Sequence, residues 1–247
     1  MNGCLEALRT AWRLSVIGGA TAGVSALALA AFASGKEPDW GYDHLRRLWT
    51  GSVLRGCGIR FEAGGLENLE GVPPCVFVSN HGSEWDWYLF IHFIERHWRA
   101  VIRADLRNFP LGGHMAARVE QIFIEPRAGS EVLIEKCRSV LARGLSVLVY
   151  PEGKRPLPGE VRDFRPGAFD LACALKVPIV PVAVVEENPA IERGPWGRTF
   201  GHDPGRVRLV VREALYPAAD TPLERERLRK ESREAVCRVV FGTDWEV

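Results

Sequence analysis

The chain has 247 residues, 47% of them hydrophobic and 26% charged, which is enough to close one large core. With 32 Lys and Arg against 31 Asp and Glu, the formal charge is +1. No global field therefore draws nucleic acid to it, and no basic run with interleaved aromatics appears. Cys4, Cys57, Cys75, Cys137, Cys173 and Cys237 are scattered without paired spacing, a pattern of reduced core thiols facing a cytosol and not of a disulfide frame or zinc site.

The 20 positions from Leu14 to Ala33 carry no charge, close to the length that crosses a bilayer. Three readings compete: a span or half-embedded hairpin, a cleaved secretory signal, and a buried helix of the fold. Arg9 and Arg13 ahead of the run and Ala31-Phe-Ala33 at its end resemble a signal. Its length and the reduced thiols favour a membrane-associated anchor instead. Gly18, Ala22 and Ser25 form a small-residue stripe that a second helix can approach closely. The cations on either side, Arg9 and Arg13 against Lys36, Arg46 and Arg47, do not fix an orientation. Trp40 to Leu54 then reads as a second helix with Tyr42, Leu45, Leu48, Trp49 and Val53 on one broad face. Trp40 and Trp49 suit a membrane interface, and Arg46, Arg47 and Arg55 suit phosphate headgroups. An amphipathic helix packed on the core fits equally well. Gly56 to Gly71 reads as a short strand and turn.

Cys75-Val-Phe-Val-Ser79 is an apolar run that reads as a short buried strand, and it ends at Asn80-His81. Ser83 fits a helix N-cap, with Asp86 at the third position of a capping box. His81 thus falls at the carboxyl end of a strand, where open α/β sheets bind ligands. On one continuous helix His81 and Asp86 stand about 140° apart and do not touch. If His81 precedes the cap and the chain bends back, the carboxylate reaches the imidazole and makes a base with an orienter. The alternative is that Asp86 only caps the helix and His81 is a turn residue.

That helix continues through Leu89, Phe90, Phe93 and Ile94 until Arg96 and His97 close it. His81, His92 and His97 lack the one-turn spacing of a helical zinc site, so no metal is read. A strand from Ala100 ends in Arg103, with a turn and a small-residue helix following to His114. A second strand, Gln121 to Glu125, ends in Pro126-Arg127. Two strands ending in arginines make a phosphate pocket by bidentate guanidinium contacts, or two surface salt bridges. Ser130 to Arg143 has helical periodicity through Leu133, Ile134, Cys137, Val140 and Leu141. It leads into the strand Ser146 to Tyr150, and Pro151-Glu-Gly-Lys-Arg155 directly after that strand cannot be core.

Asn80-His81 with Asp86 after four intervening residues, followed by Tyr150-Pro-Glu-Gly-Lys-Arg155, resembles the glycerolipid acyltransferase family that includes 1-acyl-glycerol-3-phosphate acyltransferases. Four blocks of that family find counterparts in order between Val76 and Val182. The second is similar to Gln121-Ile-Phe-Ile-Glu-Pro-Arg127, with an extra proline before the arginine. The third has Tyr150 where phenylalanine is usual and Lys154 where threonine or serine is usual, and Arg155 matches. Phe164 to Phe169 resembles the family's glycine-containing start of a helix, and Val177-Pro-Ile-Val-Pro-Val182 its proline-bearing fourth strand.

The resemblance implies that His81 acts as general base on a lysolipid hydroxyl and Asp86 holds it, so that the oxygen attacks an acyl thioester without an acyl-enzyme. It implies glycerophosphate binding by Arg127, Glu152, Gly153 and Arg155, with Arg103 as a further phosphate candidate. Glu152 is expected to meet a substrate hydroxyl or an arginine, and Gly153 to let the backbone approach closely. No metal or cofactor is implied; acyl-CoA or acyl carrier protein is the donor substrate.

Downstream, Gly159 to Phe164 reads as a loop, Gly167 to Leu175 as a helix, and Ile179 to Val185 and Val207 to Val211 as strands. Glu186 to Gly205 reads as a long loop, with a lid or partner surface as the alternative. Thr221 to Phe241 reads as a charged helix packed through Leu228, Ala235, Val236 and Val239. The expected fold is α/β, a mixed, largely parallel sheet flanked by helices with an N-terminal membrane-associated helical pair. Residues 1–56 form that pair and 57–247 the catalytic domain, facing the cytoplasm. The expected function is acylation of a lysophospholipid, 1-acyl-glycerol-3-phosphate to phosphatidic acid. The alternatives are another lysolipid, such as a lyso-ornithine lipid, and a catalytically silent lipid-binding protein.

Overall fold

The structure is a computed structural model that describes residues 2–36, 38–82, 85–108, 117, 119–156, 160–188 and 200–242. The proposed cap at Ser83, the small-residue helix leading to His114, Gly159 and the loop around Trp196 lie outside the described residues.

Seven strands, β1 (Arg60–Gly64), β2 (Val76–Ser79), β3 (Trp98–Arg103), β4 (Ile122–Ile124), β5 (Ser146–Val149), β6 (Ile179–Glu186) and β7 (Arg206–Val211), form one sheet in the order β1-β7-β6-β2-β5-β3-β4. Only β6 and β7 pair antiparallel among these neighbours; β2 pairs parallel with β5 and β6, and β3 with β4 and β5. The expected mixed, largely parallel sheet is present. β2, β5 and most of β6 are buried, and they read as unbroken apolar runs because both faces of a parallel sheet are covered.

Alternate residues of each strand feed two cores. Val76 and Val78 face α4 (Ser130–Ala142), α5 (Gly167–Leu175) and α6 (Pro222–Val240), while Cys75 and Phe77 face α2 (Pro38–Gly56) and α3 (Asp86–Phe93). α6 packs through Leu228, Ser232, Val236 and Val239; Ala235 is only partly buried, and Ser232 takes the inward position one turn after Leu228. α3 ends at Phe93, earlier than its apolar pattern predicts, and β3 begins at Trp98.

α1 (Asn2–Ala33) is long and apolar enough to cross a membrane, yet between Arg9 and Thr21 it is tied to the rest of the chain by hydrogen bonds. Trp12 donates from its indole to Gly56 O at 2.9 Å, and Trp49 donates to Thr21 Oγ1 at 3.0 Å, which sets α1 and α2 antiparallel. The close approach is made by Gly56, where a Cβ would fall 2.7 Å from Val16 Cγ1; at Gly18 the same atom would meet nothing within 4 Å. The small-residue stripe at Gly18, Ala22 and Ser25 is therefore not the contact, because the facing surface is chosen by the polar anchors at either end. Arg46, expected at phosphate headgroups, is 8% exposed and donates to Ile91 O and His92 O at the end of α3. It satisfies carbonyls that a helix terminus leaves unpaired. Trp49, expected at a membrane interface, packs on Tyr88 with ring centroids 5.5 Å apart.

Candidate active site

β2 and β5 are neighbours in register, Val78 opposite Val149, and the chain leaves their carboxyl ends toward opposite faces of the sheet. After β2 it turns to α3 in one core; after β5 it runs to α5 in the other. The divergence opens a crevice at a topological switch point. Asn80 extends β2 by one step: its Nδ2 donates to Val184 O at 2.8 Å and its Oδ1 accepts from Val184 N at 2.9 Å. This buried amide pins the chain on β6, so the next residue, His81, is aimed from a fixed point.

His81 Nδ1 lies 2.9 Å from Asp86 Oδ2. α3 begins at Asp86 with Trp85 as its cap position, so Asp86 is the first helical residue and not the third. His81 lies outside the helix and the chain doubles back, which joins two residues that a continuous helix would separate. Asp86 is fully buried and in the first turn, where backbone N–H groups favour an anion. The imidazole is 27% exposed, so one edge can reach a substrate. Arg155 Nε stands 3.2 Å from His81 Nε2. A guanidinium only donates, so Nε2 holds the lone pair and Nδ1 the proton that Asp86 accepts. This tautomer is the one a general base at Nε2 needs.

Tyr150 stacks on the imidazole, with centroids 4.3 Å apart and planes 23° from parallel. The ring is thus held at its edge by a carboxylate and across its face by an aromatic. Burial, and secondly the Asp86 charge, push the Tyr150 hydroxyl well above its usual 10, so it stays neutral beside the dyad.

Glu152, expected on a substrate hydroxyl or an arginine, is 2% exposed, and both its oxygens accept from backbone. Oε1 accepts from His81 N at 3.0 Å and Oε2 from Arg162 N at 3.1 Å. Burial raises its carboxyl above the usual value, opposed by those two N–H groups. The carboxylate therefore braces the His81 turn against the loop that carries Arg155. Gly153 has φ +69°, its N–H closes a turn on Tyr150 O at 3.1 Å, and a Cβ there would fall 2.6 Å from the Arg165 guanidinium. Its glycine is needed for that backbone and that stacked arginine. Arg165 N donates to Pro151 O at 2.9 Å, which closes the loop at its root. From α6, Arg233 donates to Val161 O and Arg162 O, and Arg229 to Phe164 O.

Arg103 ends β3 and Arg127 follows β4, on the same edge of the sheet as His81. Arg103 is exposed and paired with Asp105. Arg127 is exposed in the turn from β4 to α4, with φ +74°. A groove beside β4 lined by Arg107, Lys136 and Arg143 shares no residue with the dyad, and Lys136 and Arg143 are engaged by Phe123 O and Glu120. Among the described residues no cluster of His, Cys, Asp or Glu could hold a metal ion.

Arg13 has a supporting role behind the site that sequence reasoning missed. It is 2% exposed, donates to Cys57 O at 3.0 Å and Phe200 O at 2.7 Å and also to His202 O, and lies 5.5 Å from the Trp85 ring centroid. It connects α1 to the start of the Asp86 helix. A lone arginine before an apolar run carries no signal of this, since its partners are carbonyls 44, 187 and 189 positions away.

The acyltransferase family model matches residues 60–185, which spans every element that holds the crevice and both partners of the dyad. This chain belongs to the acyltransferase family. It is 29% identical over 178 residues to the 1-acyl-sn-glycerol-3-phosphate acyltransferase of Pseudomonas aeruginosa, covering 71% of this chain and 66% of that protein. It is 30% identical over 130 residues to the human 1-acyl-sn-glycerol-3-phosphate acyltransferase alpha, covering 51% of this chain and 46% of that one. The chain thus spans about half to two thirds of the length of such relatives. The crystal structure of the 1-acyl-sn-glycerophosphate acyltransferase PlsC from Thermotoga maritima superposes with a TM-score of 0.78 at 24% identity, over 100% of this chain and 99% of that one. The likeness of fold to that structure therefore extends over α1 and α2 as well as the sheet.

Proposed function

We propose that this protein transfers a fatty acyl group from an acyl thioester to the free hydroxyl of 1-acyl-glycerol-3-phosphate, giving phosphatidic acid. The observation that carries the reading is the His81–Asp86 contact at 2.9 Å on a partly exposed imidazole whose other nitrogen holds its lone pair toward the crevice. The proton of the acceptor hydroxyl passes to His81 Nε2 as its oxygen attacks the thioester carbonyl. The tetrahedral intermediate collapses, the C–S bond breaks, and the imidazolium returns the proton to the leaving thiolate. Asp86 stabilises the imidazolium in between, and no acyl-enzyme forms. Arg155, with Arg127 and Arg103 on the same edge, meets the phosphate, while Glu152 and Gly153 shape the loop that presents Arg155. Acyl-CoA and acyl carrier protein are both donors of the required chemistry.

Residues 1–56 seat the 57–247 domain on the cytoplasmic face of a membrane in this reading. Leu5, Leu8, Leu14, Leu27, Leu29 and Phe32 are exposed along α1, and this surface suits a lipid interface where the acceptor resides. The test is thiol release and diacyl product from acyl-CoA or acyl carrier protein with lysophosphatidic acid, in wild type and His81→Ala. Turnover lost in the variant with lipid binding retained supports the reading. Turnover with another lysolipid alone replaces the acceptor. Binding without turnover in either protein makes it a lipid-binding protein.

A further inference from the structure

α1 grips the segment that leads into β7. Arg13 donates to Phe200 O at 2.7 Å and to His202 O, and Arg9, one helical turn earlier, donates to Gly201 O between them at 3.1 Å. Gly201 lies so close under α1 that a Cβ there would fall 2.8 Å from Glu6 O and 2.9 Å from Thr10 Oγ1. The grip continues into the site. The Phe200 ring meets the Trp85 indole edge-on with centroids 5.8 Å apart, and the Arg13 guanidinium itself stands 5.5 Å from the Trp85 centroid. Trp85 is buried and also packs on Tyr88 at 5.9 Å. Its carbonyl accepts from Leu89 N at 3.0 Å, which ties it to the first turn of α3. The next residue is Asp86.

We infer that Arg13 is a positioning residue for acyl transfer: through Trp85 and Phe200 it sets the start of α3 and so aims the Asp86 carboxylate at His81 Nδ1. The inference rests on the acyl-transfer reading above for its kinetic consequence. The hydrogen bond from Nδ1 to Asp86 is directional, and it both selects the ring tautomer and steadies the imidazolium. A carboxylate displaced by a turn of the indole weakens both effects while the acceptor still binds. Phe200 and Tyr88 share the hold on Trp85, so loss of Arg13 shifts the carboxylate by less than an ångström and costs less than the hundredfold that a full ångström brings. Arg9 grips the same segment at Gly201, whereas the contact with Trp85 is made by Arg13. Turnover thus depends on the seat of α1, whose outer face carries the exposed Leu5, Leu8 and Leu14.

The experiment compares the full chain in detergent micelles as wild type, Arg13→Met and Arg9→Met; the last loosens the grip at Gly201 and leaves the Arg13 contact with Trp85 in place. Thiol release from acyl-CoA with lysophosphatidate is expected to show kcat lowered about tenfold in Arg13→Met, with KM for the acceptor within about twofold. In Arg9→Met both constants are expected within about twofold of wild type. On an Asp86→Asn background, Arg13→Met is expected to cost less than about twofold more, because the group it aims has already lost its charge. An arginine that only holds the fold together removes folded protein and lowers kcat by the same factor on either background. That result, or equal losses in Arg13→Met and Arg9→Met, would overturn the inference. Where the methionine variant fails to fold, Arg13→Lys takes its place; it keeps the charge and loses the planar fork, so kcat is expected to fall several-fold, and a wild-type kcat overturns the inference. The proton on His81 Nδ1 gives a readout that needs no turnover. Held by a carboxylate it resonates far downfield, and its disappearance in Asp86→Asn assigns it. The peak is expected to persist in Arg9→Met and to weaken or vanish in folded Arg13→Met, and an unchanged peak overturns the inference. If wild type fails to acylate lysophosphatidate, the acceptor assignment falls and this resonance decides Arg13. If it acylates lysophosphatidate while Arg13→Met keeps both kcat and the peak, the positioning role alone falls.

Discussion

Asp86→Asn removes one charge from the dyad while conserving its shape. Asp86 Oδ2 is 2.9 Å from His81 Nδ1, and the side chain is fully buried, so solvent does little to replace it. In the proposed mechanism the carboxylate contributes mainly when His81 becomes an imidazolium. Two unit charges about 4 Å apart interact by about 4 kcal/mol at an effective dielectric of about 20. At about 1.4 kcal/mol per decade, the loss of that attraction lowers kcat by about a thousandfold. An asparagine that turns its amide N–H toward Nδ1 adds to the loss. It forces the ring proton onto Nε2, where it faces the Arg155 donor and can accept nothing. KM for the acceptor is expected to stay within about twofold, since the group touches no substrate. The assay is initial-rate thiol release with lysophosphatidic acid, run on Asp86→Asn, His81→Ala and the double variant. Because Asp86 acts through His81, its substitution should cost almost nothing further once His81 is alanine. A kcat within tenfold of wild type, or a full second loss in the double variant, would refute the orienting role.

Glu152→Gln is expected to lower kcat by about ten- to a hundredfold with little change in KM. It sets an N–H against one of two backbone N–H donors and loses a charged hydrogen bond of about 1.5–3 kcal/mol; a change confined to KM would return Glu152 to the substrate. Arg13→Met should lower unfolding free energy by about 3 kcal/mol, as the buried carbonyls of Cys57, Phe200 and His202 lose their donor, and the urea midpoint reads it; an unchanged midpoint would detach α1 from the site. His92 titrates at about 4, pushed down from 6.5 by burial and then by Arg47, Arg55 and Arg46. The unfolded chain binds that proton more tightly, so the contribution is complete above about pH 6.5 and is lost as pH falls toward 4. For a ring only half removed from water this amounts to about 2 kcal/mol. His92→Gln should flatten the urea midpoint between those pH values, and a profile parallel to wild type would show that the acid loss arises elsewhere.

Elements whose cause is local were legible in the residues. Ser146 to Val149 and Ile179 to Glu186 are apolar runs that form buried strands, and Ser130 to Ala142 carries helical periodicity that becomes a covering helix. His81 at a strand's carboxyl end and the Pro-Glu-Gly-Lys-Arg turn after the next parallel strand were legible for the same reason. A buried strand followed at once by polar residues marks where a chain leaves the core. The α1–α2 contact was misread, because Gly18 and Gly56 are equally small and only the polar anchors at Trp12 and Trp49 decide which one meets the facing helix.

By itself, then, the sequence determined the α/β class, the strands and helices, and which residues stand at the mouth of the sheet, since each depends on neighbours within a few positions. The tertiary structure decided how those residues are used. It turned the chain before Asp86 so that the carboxylate meets His81. It buried Glu152 beneath two amides from different loops, and Arg13 among carbonyls brought from the far end of the chain. It set Arg155 Nε against His81 Nε2. Each of these is a contact between groups whose partners are chosen by the packing of the sheet and its helices, and one-dimensional spacing holds no record of that choice.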